Sequence, residues 1–376
     1  MRLALDGRAL CGPNTGDRTY WLSLVRALRR IRPDWEITVL TRIPIPPATA
    51  SRLEGATIRT VYAVSDRVWT LFTLPRIVAH GYDLMHTQYT TPLRCDVPAV
   101  TTVHDISFRL HPNLFPLKHR LLLNSSVPPS MRRAAHVITD SYASRYDIIR
   151  AYGLPENKVT AIWLAHDESF SPQQQENDRA LVNQWVRTEA PYVLAVGVLQ
   201  PRKNLPLLVE TFGVARRRAD LPHRLVLVGK SGWNMASIHE VIRRYQMSDR
   251  VIFTGYLPDE VLPSLYRLAD LFVFPSKYEG FGLPPLEAMA CGVPTIASDA
   301  PAMSEVIASG GRLVDPYDSS AWSDAIVEAL QNRQLRQEMS QKAIERATVF
   351  SWQKTALHTV EVYERVIGKV RGLSDD

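Results

Sequence analysis

The chain predicts an α/β fold built from two doubly wound parallel sheets in succession. Short runs of β-branched and apolar residues alternate with amphipathic stretches along all 376 residues. Hydrophobic residues make up 45% and charged residues 22%, the balance of an ordinary globular protein and not of a disordered chain. At roughly 100–200 residues per domain, the length suggests two domains, each able to bury a core without disulfide or metal staples.

Taken in order, Arg2–Leu5 reads as a first strand. Asp6 interrupts the opening run MRLALDGRAL, so that run suits a buried strand better than the core of a signal peptide. Thr19–Arg30 carries a helical apolar stripe, and Glu36–Thr41, Thr57–Val61, Leu84–Thr87, Val97–Thr102 and Val137–Thr139 read as further strands. Tyr142–Tyr152 predicts a helix stopped by Gly153. In the second half, strands are expected at Tyr192–Val196, Arg224–Val228, Val251–Phe253, Leu271–Phe274 and Thr295–Ala297. Helices fit between them at Pro206–Arg218, Ala236–Tyr245, Pro258–Leu268 and Pro284–Ala290. Strand–helix alternation of this kind means parallel sheets covered by helices. The polar stretch Ser169–Pro191, with SPQQQEND and a short helix at Arg179–Arg187, marks the boundary, giving domains 1–170 and 171–351.

Three cysteines, Cys11, Cys95 and Cys291, with no C-x-x-C, argue against a disulfide scaffold or a structural zinc site and suit a reducing cytosol. No stretch approaches 18 uninterrupted apolar residues, so no spanning helix is expected. The net charge is +6, and the positive excess lies in residues 1–170, which hold 21 Lys and Arg against 14 Asp and Glu. An anionic surface is one partner for such a face. Nucleic acid is not expected, because zinc-finger spacing, RNA-binding aromatics and a Lys-rich tail are all missing.

The strongest local pattern is FPSKYEGFGLPPLEAMACGVP at residues 274–294. A strand ends at Phe274, a loop carries Glu279, Gly280 and Gly282, and Pro284 and Pro285 suit the first turn of a helix. Glycines before a helix start let a ligand approach the backbone, and the free N–H groups favour phosphate. In an open α/β sheet this loop stands at the carboxyl ends of the strands, where ligands bind. Glu279 precedes the helix and can face a ligand; Glu287, eight residues on, is expected in the first helical turn. Carboxylates accept hydrogen bonds from sugar hydroxyls.

The E-x7-E arrangement in this context resembles the signature of glycosyltransferase family 4, retaining enzymes of GT-B architecture with two Rossmann-like domains facing a cleft. The likeness covers nearly the whole chain: AVGVLQPRKNL at 195–205, TVHDISF at 102–108, DSYASRYDIIRAYGL at 140–154 and Ser351–Trp352 match family landmarks. It is similar above all to bacterial transferases of surface-polysaccharide synthesis with mannose-type donors. The resemblance implies a hexose transfer from a nucleotide-diphosphate sugar, GDP-linked by preference, to a saccharide or lipid-linked saccharide, with no separate cofactor. It implies that Glu279 contacts the transferred sugar, that Glu287 grips the ribose, and that the amides of Gly280, Phe281, Gly282 and Leu283 cradle sugar and phosphate. Lys203 matches the diphosphate lysine, whose charge counts most as the leaving group departs. Many relatives carry the partner Arg where this chain has Val198, and Arg202 stands in for it. His104 matches a histidine that contacts sugar from the first domain, with Asp105 orienting its ring or capping the next turn. The base is expected near Gly229–Lys230 and Gly255–Tyr256–Leu257, and the stretch 352–376 is expected to cross back to the first domain.

The loop GPNTGDRTY at 12–20 departs from the family's Gly-x-Gly-Arg-Tyr pattern: Gly16 and Tyr20 fit, whereas Arg18 takes the second glycine's place and Thr19 that of the Arg. Gly16 remains a candidate phosphate contact and Arg18 a candidate acceptor contact. No Asp-x-Asp is present, so transfer without a metal is expected. A cytoplasmic protein is implied. Val68–Phe72 and Leu114–Leu123, beside Arg67, Arg76, Lys118 and Arg120, suit a peripheral seat on the inner face of the plasma membrane and suit ordinary core with solvated charge equally well. A nucleotide-sugar epimerase of the same fold and a non-catalytic nucleotide- or glycan-binding subunit remain the alternatives.

Overall fold

The computed structural model describes residues 1–12, 15–53 and 55–370. The chain divides into two compact units: Met1–Ala165 together with Ser351–Asp376, and His166–Phe350.

The first unit holds seven strands: β1 (Arg2–Asp6), β2 (Glu36–Thr41), β3 (Thr57–Thr60), β4 (Leu84–Gln88), β5 (Ala99–Thr102), β6 (His136–Thr139) and β7 (Val159–Ala161). They form one sheet in the order β3-β2-β1-β4-β5-β6-β7, and every pairing is parallel. The second unit holds β8 (Tyr192–Val196), β9 (Arg224–Val228), β10 (Val251–Gly255), β11 (Leu271–Phe274), β12 (Thr295–Ser298) and β13 (Arg312–Val314). Their order is β10-β9-β8-β11-β12-β13, again all parallel. Strands buried on both faces need no polar alternation, which is why β11 and β12 are continuous buried runs. In each sheet the winding direction reverses once, between β1 and β4 and between β8 and β11. Crevices at the carboxyl ends of the strands open at such points.

Most of the elements read from the sequence are present, several with the same ends. Several details differ, among them helix Pro301–Ile307, which was not read. Helix Leu262–Arg267 starts later than Pro258, because Pro263 lacks an N–H and fits only a first helical turn. The edge strands β7 and β13 were too short to read. Helix Leu117–Arg133 carries Pro128 and Pro129 in its interior, which hid it. Two helices, Ser319–Gln331 and Arg333–Ala347, follow β13. Their caps, Asp318 Oδ1 accepting from Ala321 N and Asn332 Oδ1 from Leu335 N, were legible signals.

Residues 166–170 go with the second unit for a physical reason. The Phe170 ring packs on Tyr266, and just downstream Asp178 is buried against Arg267, with guanidinium contacts of 2.6 and 2.7 Å. The hydrogen bonds from Arg267 hold Asp178 down at about 2.

Helix Trp352–Val370 packs on helix Gly16–Ile31 in the first unit. The Thr355 hydroxyl donates to Trp163 O at 2.7 Å, and Arg32 pairs with Glu364. The buried His86 ring joins the helix to the sheet: Nδ1 is 2.5 Å from the Tyr363 hydroxyl and Nε2 is 2.7 Å from Thr102 Oγ1, which in turn is 2.9 Å from the Tyr20 hydroxyl.

Burial, with the His104 charge adding to it, pushes His86 down to about 3. Burial and the nearby Arg365, Lys369 and Lys158 push His136 down to about 4. Both rings fold neutral, while the unfolded chain takes up protons on histidine below about pH 6.5. The thermal midpoint should therefore fall as pH drops from about 6.5 towards 4. His136→Gln keeps a partner for Thr160 Oγ1 but cannot ionise, so it should flatten that fall; an equally steep slope in the variant would refute the assignment.

Candidate active site

In the second unit the two loops flanking the reversal of the sheet carry the charge. After β8, residues Pro201–Lys203 form one 3-10 turn, closed by Asn204 at φ 54°. Gly197, at φ 145°, lies under the Lys203 side chain; a Cβ there would stand 3.1 Å from Lys203 Cε. After β11, the loop to helix Leu283–Ala290 carries Ser276 and Glu279.

The loops meet at Glu279. Its Oε1 accepts from Lys203 Nζ at 2.7 Å and from Ser276 Oγ at 2.5 Å, and its Oε2 lies 2.5 Å from Arg202 Nη1. Arg202 Nη1 also donates to Tyr278 O at 2.6 Å, and Lys277 N donates to Arg202 O at 2.9 Å. Ser298 Oγ, at the end of β12, donates to Ser276 O. Lys203 Nζ sits 4.4 Å from the centre of the Phe274 ring. Burial alone would raise the Glu279 carboxyl, but Arg202 and Lys203 outweigh it and hold the group down at about 2. Glu279 is therefore ionised at neutral pH. It accepts hydrogen bonds and does not act as an acid.

Gly282 caps helix Leu283–Ala290 at φ 115°, with no side-chain cap, and Pro284 and Pro285 fall in its first turn. Phe281 is buried with its ring on Phe350, so its backbone, and not its side chain, is what the loop offers a ligand. Gly280 is buried and Leu283 half-buried. Glu287 is the fifth residue of the helix and not in its first turn, a correction to the sequence reading. Its Oε2 accepts from the Tyr266 hydroxyl at 3.0 Å. Burial, with Asp259 and Asp167 behind it, lifts Glu287 to about 7 against the opposing hydrogen bond. Tyr256 is exposed at the end of β10 and is no part of the core.

The other candidates, Gly16 and His104, belong to the first unit. His104 follows β5, with Nδ1 2.7 Å from Asp140 Oδ2, and both residues are buried. Asp105 caps the next turn, accepting from Ser107 N at 2.8 Å, so Asp140 and not Asp105 holds the ring. His104 Nε2 is 3.0 Å from the Gln88 amide nitrogen and 3.6 Å from Asp17 Oδ1. Helix Gly16–Ile31 begins at Gly16, and its first turn carries Asp17, an anion already placed at the positive end. Arg18 turns aside to donate to Thr49 Oγ1 at 2.8 Å. Pro13 and Asn14 of this loop lie outside the described residues. Ser276, Tyr266, Asp140, Asp17 and Gln88 were missed as site residues. Ser276, Asp17 and Asp140 sit inside stretches already singled out; Tyr266 and Gln88 carry no local signal.

Two all-parallel doubly wound units, each with ionisable side chains gathered where strand winding reverses, define a two-domain transferase of GT-B type. The family model described as "Glycosyl transferases group 1" matches residues 178–346, and that described as "Glycosyltransferase Family 4" matches residues 15–170. The O-antigen chain mannosyltransferase B of Escherichia coli is 31% identical over 79% of this chain and 77% of its own length. The O-antigen chain mannosyltransferase RfbU of Salmonella typhimurium is 32% identical over 64% of this chain and 62% of its own. Among solved structures, Anabaena Alr3699/HepE in complex with UDP and glucose superposes with a TM-score of 0.76 at 21% identity, covering 96% of this chain and 99% of that one. WaaG, a glycosyltransferase involved in lipopolysaccharide biosynthesis, gives 0.75 at 14% identity, covering 96% and 99%. The chain belongs to glycosyltransferase family 4.

A Cβ on Gly282 would stand 2.3 Å from Met303 Cε. Met303 is flexible and can give way, but the left-handed backbone cannot. Gly282→Ala should destabilise the chain by about 1–2 kcal/mol in denaturant titration. Adding Met303→Ala should not restore it; recovery in the double variant would show that the clash, not the backbone, sets the cost.

Proposed function

We propose that this glycosyltransferase is a retaining hexosyltransferase that moves a mannose-type sugar from a nucleoside-diphosphate sugar, GDP-linked by preference, to a saccharide or lipid-linked saccharide. The observation that carries the reading is the cluster of Lys203, Arg202 and Glu279 at the carboxyl ends of β8 and β11. Departure of a nucleoside diphosphate builds negative charge, and two cations already fixed in place stabilise it without reorganisation. They supply the countercharge that a divalent ion supplies elsewhere, so no metal is needed.

Glu279, ionised between those cations, accepts from hydroxyls of the sugar being transferred. The amides from Gly280 to Leu283, at an uncapped helix start, take the phosphate. Glu287 reaches the ribose, and Tyr266 fixes its carboxyl. The donor belongs to the second unit. Gly16 and His104, with the acceptor, belong to the first. The bond from the anomeric carbon to phosphate oxygen breaks as the acceptor oxygen attacks on the same face, and the departing phosphate oxygen takes the acceptor's proton.

Mannosyltransferase relatives favour a mannose-type donor and a surface-polysaccharide acceptor. No helix among the described residues is long and apolar enough to cross a membrane. Leu71, Phe72, Leu117, Leu121 and Leu122 are exposed in the basic first unit, which supports a peripheral seat on anionic lipid for a lipid-linked acceptor, whereas Trp69 is core, donating to Asp6 Oδ1 at 3.0 Å.

Thermal shift with GDP, UDP, ADP, dTDP and CMP, each with and without EDTA, tests the donor. A ligand at 100 times its Kd stabilises by about 2.7 kcal/mol. GDP should give the shift, EDTA should not remove it, and Lys203→Ala should abolish it in a protein that still folds. Transfer by that variant should fall by about 10²–10³. Stabilisation by UDP alone would overturn the GDP assignment, and a shift lost in EDTA would overturn the metal-free reading.

A further inference from the structure

His104 is held more tightly than a ligand contact alone requires. It sits at the carboxyl end of β5 between two neighbours in the sheet: Asp140 follows β6 on one side, and Gln88 ends β4 on the other. Asp140 Oδ2 takes Nδ1 at 2.7 Å. The Tyr20 and Tyr89 rings stand edge-on to the imidazole with centroids at 5.1 and 5.5 Å and pack the ring in this orientation. Nε2 is thereby directed to the first turn of helix Gly16–Ile31, where Asp17 Oδ1 lies 3.6 Å away. Gln88 spans the same gap: its amide nitrogen donates to Asp17 O at 3.1 Å and lies 3.0 Å from Nε2. The Asp17 side chain is 46% exposed, whereas that of Asp140 is 4% exposed.

We propose that Asp140 is a positioning residue and Asp17 a further sugar-binding residue: Asp140 holds the His104 ring by Nδ1, so that Nε2 and the Asp17 carboxylate face one hydroxyl of a bound sugar side by side. This rests on the reading of His104 as a sugar contact. A hydroxyl accepts one hydrogen bond and donates another, so a cationic N–H beside a carboxylate matches it on both counts. A phosphate would be repelled by Asp17. The same carboxylate therefore selects a neutral hydroxyl at this point of the first unit, where an anion-binding helix start was expected.

The charges around the ring support the arrangement. Burial disfavours the imidazolium, but Asp140, with Asp17 and Asp105 behind it, outweighs burial and lifts His104 to about 9. His86, whose charge would oppose the shift, stays neutral, and burial keeps the Tyr20 hydroxyl protonated. At neutral pH Nε2 is therefore a donor, which the Asp17 carboxylate 3.6 Å away or a sugar hydroxyl can accept.

The test reads the ring first. NMR titration of the unmodified protein should place the His104 ring well above 6.5; a value at or below that overturns the proposal without any variant. In Asp140→Asn the ring should titrate at least one unit lower. The alkaline limb of kcat/KM, measured with GDP-mannose and methyl α-mannoside, should move down with it. A merely structural role for Asp140 would leave ring and limb in place, and that result refutes the positioning role. Asp17→Asn should raise one KM by about tenfold, the loss of a hydrogen bond to a charged group, with the thermal midpoint unchanged. A rise in the donor's KM assigns the hydroxyl to the transferred sugar, and a rise in the acceptor's KM assigns it to the acceptor. No rise in either overturns the role of Asp17. His104→Asn separates the layers. If it retains full transfer, the reading of His104 itself fails. If it loses transfer while Asp140→Asn and Asp17→Asn behave as the parent, only this inference fails.

Discussion

The buried carboxylate of Glu279 ties together the loops that follow β8 and β11 in the second unit. An ionised carboxyl cannot stay in a protein interior without partners, and Glu279 has cations on both oxygens, from Lys203 and Arg202. Removing one partner from such a cluster leaves uncompensated buried charge at a cost of about 3–5 kcal/mol. The loop after β8 and the loop after β11 therefore take their conformations together, and Ser276 and Ser298 extend the coupling to the end of β12. An arrangement stable by itself is also preorganised: in the proposed reaction the cations need not be gathered when a diphosphate arrives.

The first unit solves a related problem by another route. Its ionisable centre is one imidazole, fixed by Asp140, framed by two tyrosine rings and faced by Asp17 and Gln88. Behind it, His86 makes its hydrogen bonds as a neutral ring, joining Thr102 of β5 to Tyr363 of the last helix. His86 on β4 is thus pushed towards the neutral form and His104, just after the neighbouring β5, towards the cation. His104 has a carboxylate on Nδ1, whereas His86 has only hydroxyls.

Much of this was legible in the chain. The near-continuous apolar runs of β8, β9, β11 and β12 follow from burial on both faces, and the turn from Phe274 into Pro284–Pro285 follows from glycine and proline chemistry. Those same local rules brought out Glu279 and Glu287, whereas Lys203 came from the likeness of AVGVLQPRKNL to a family segment. They failed where a feature runs against local preference. Helix Leu117–Arg133 tolerates two interior prolines, because tertiary packing outweighs propensity. Edge strands of three residues, such as β7 and β13, are too short to show any period.

Sequence by itself determined the element types, the parallel α/β class and the residue types at the strand ends, because these depend on period, turn chemistry and composition within a few residues. Only the tertiary structure decided which charges meet. Glu279 and Lys203 are 76 residues apart, Asp140 and His104 are 36 apart, and Asp17 and Gln88 are 71 apart. Strand order brings such pairs to one edge of a sheet, and no local pattern records strand order. The direction in which Asp105 and Arg18 turn, to a neighbouring turn and to Thr49, was settled likewise by the partners that folding placed within reach.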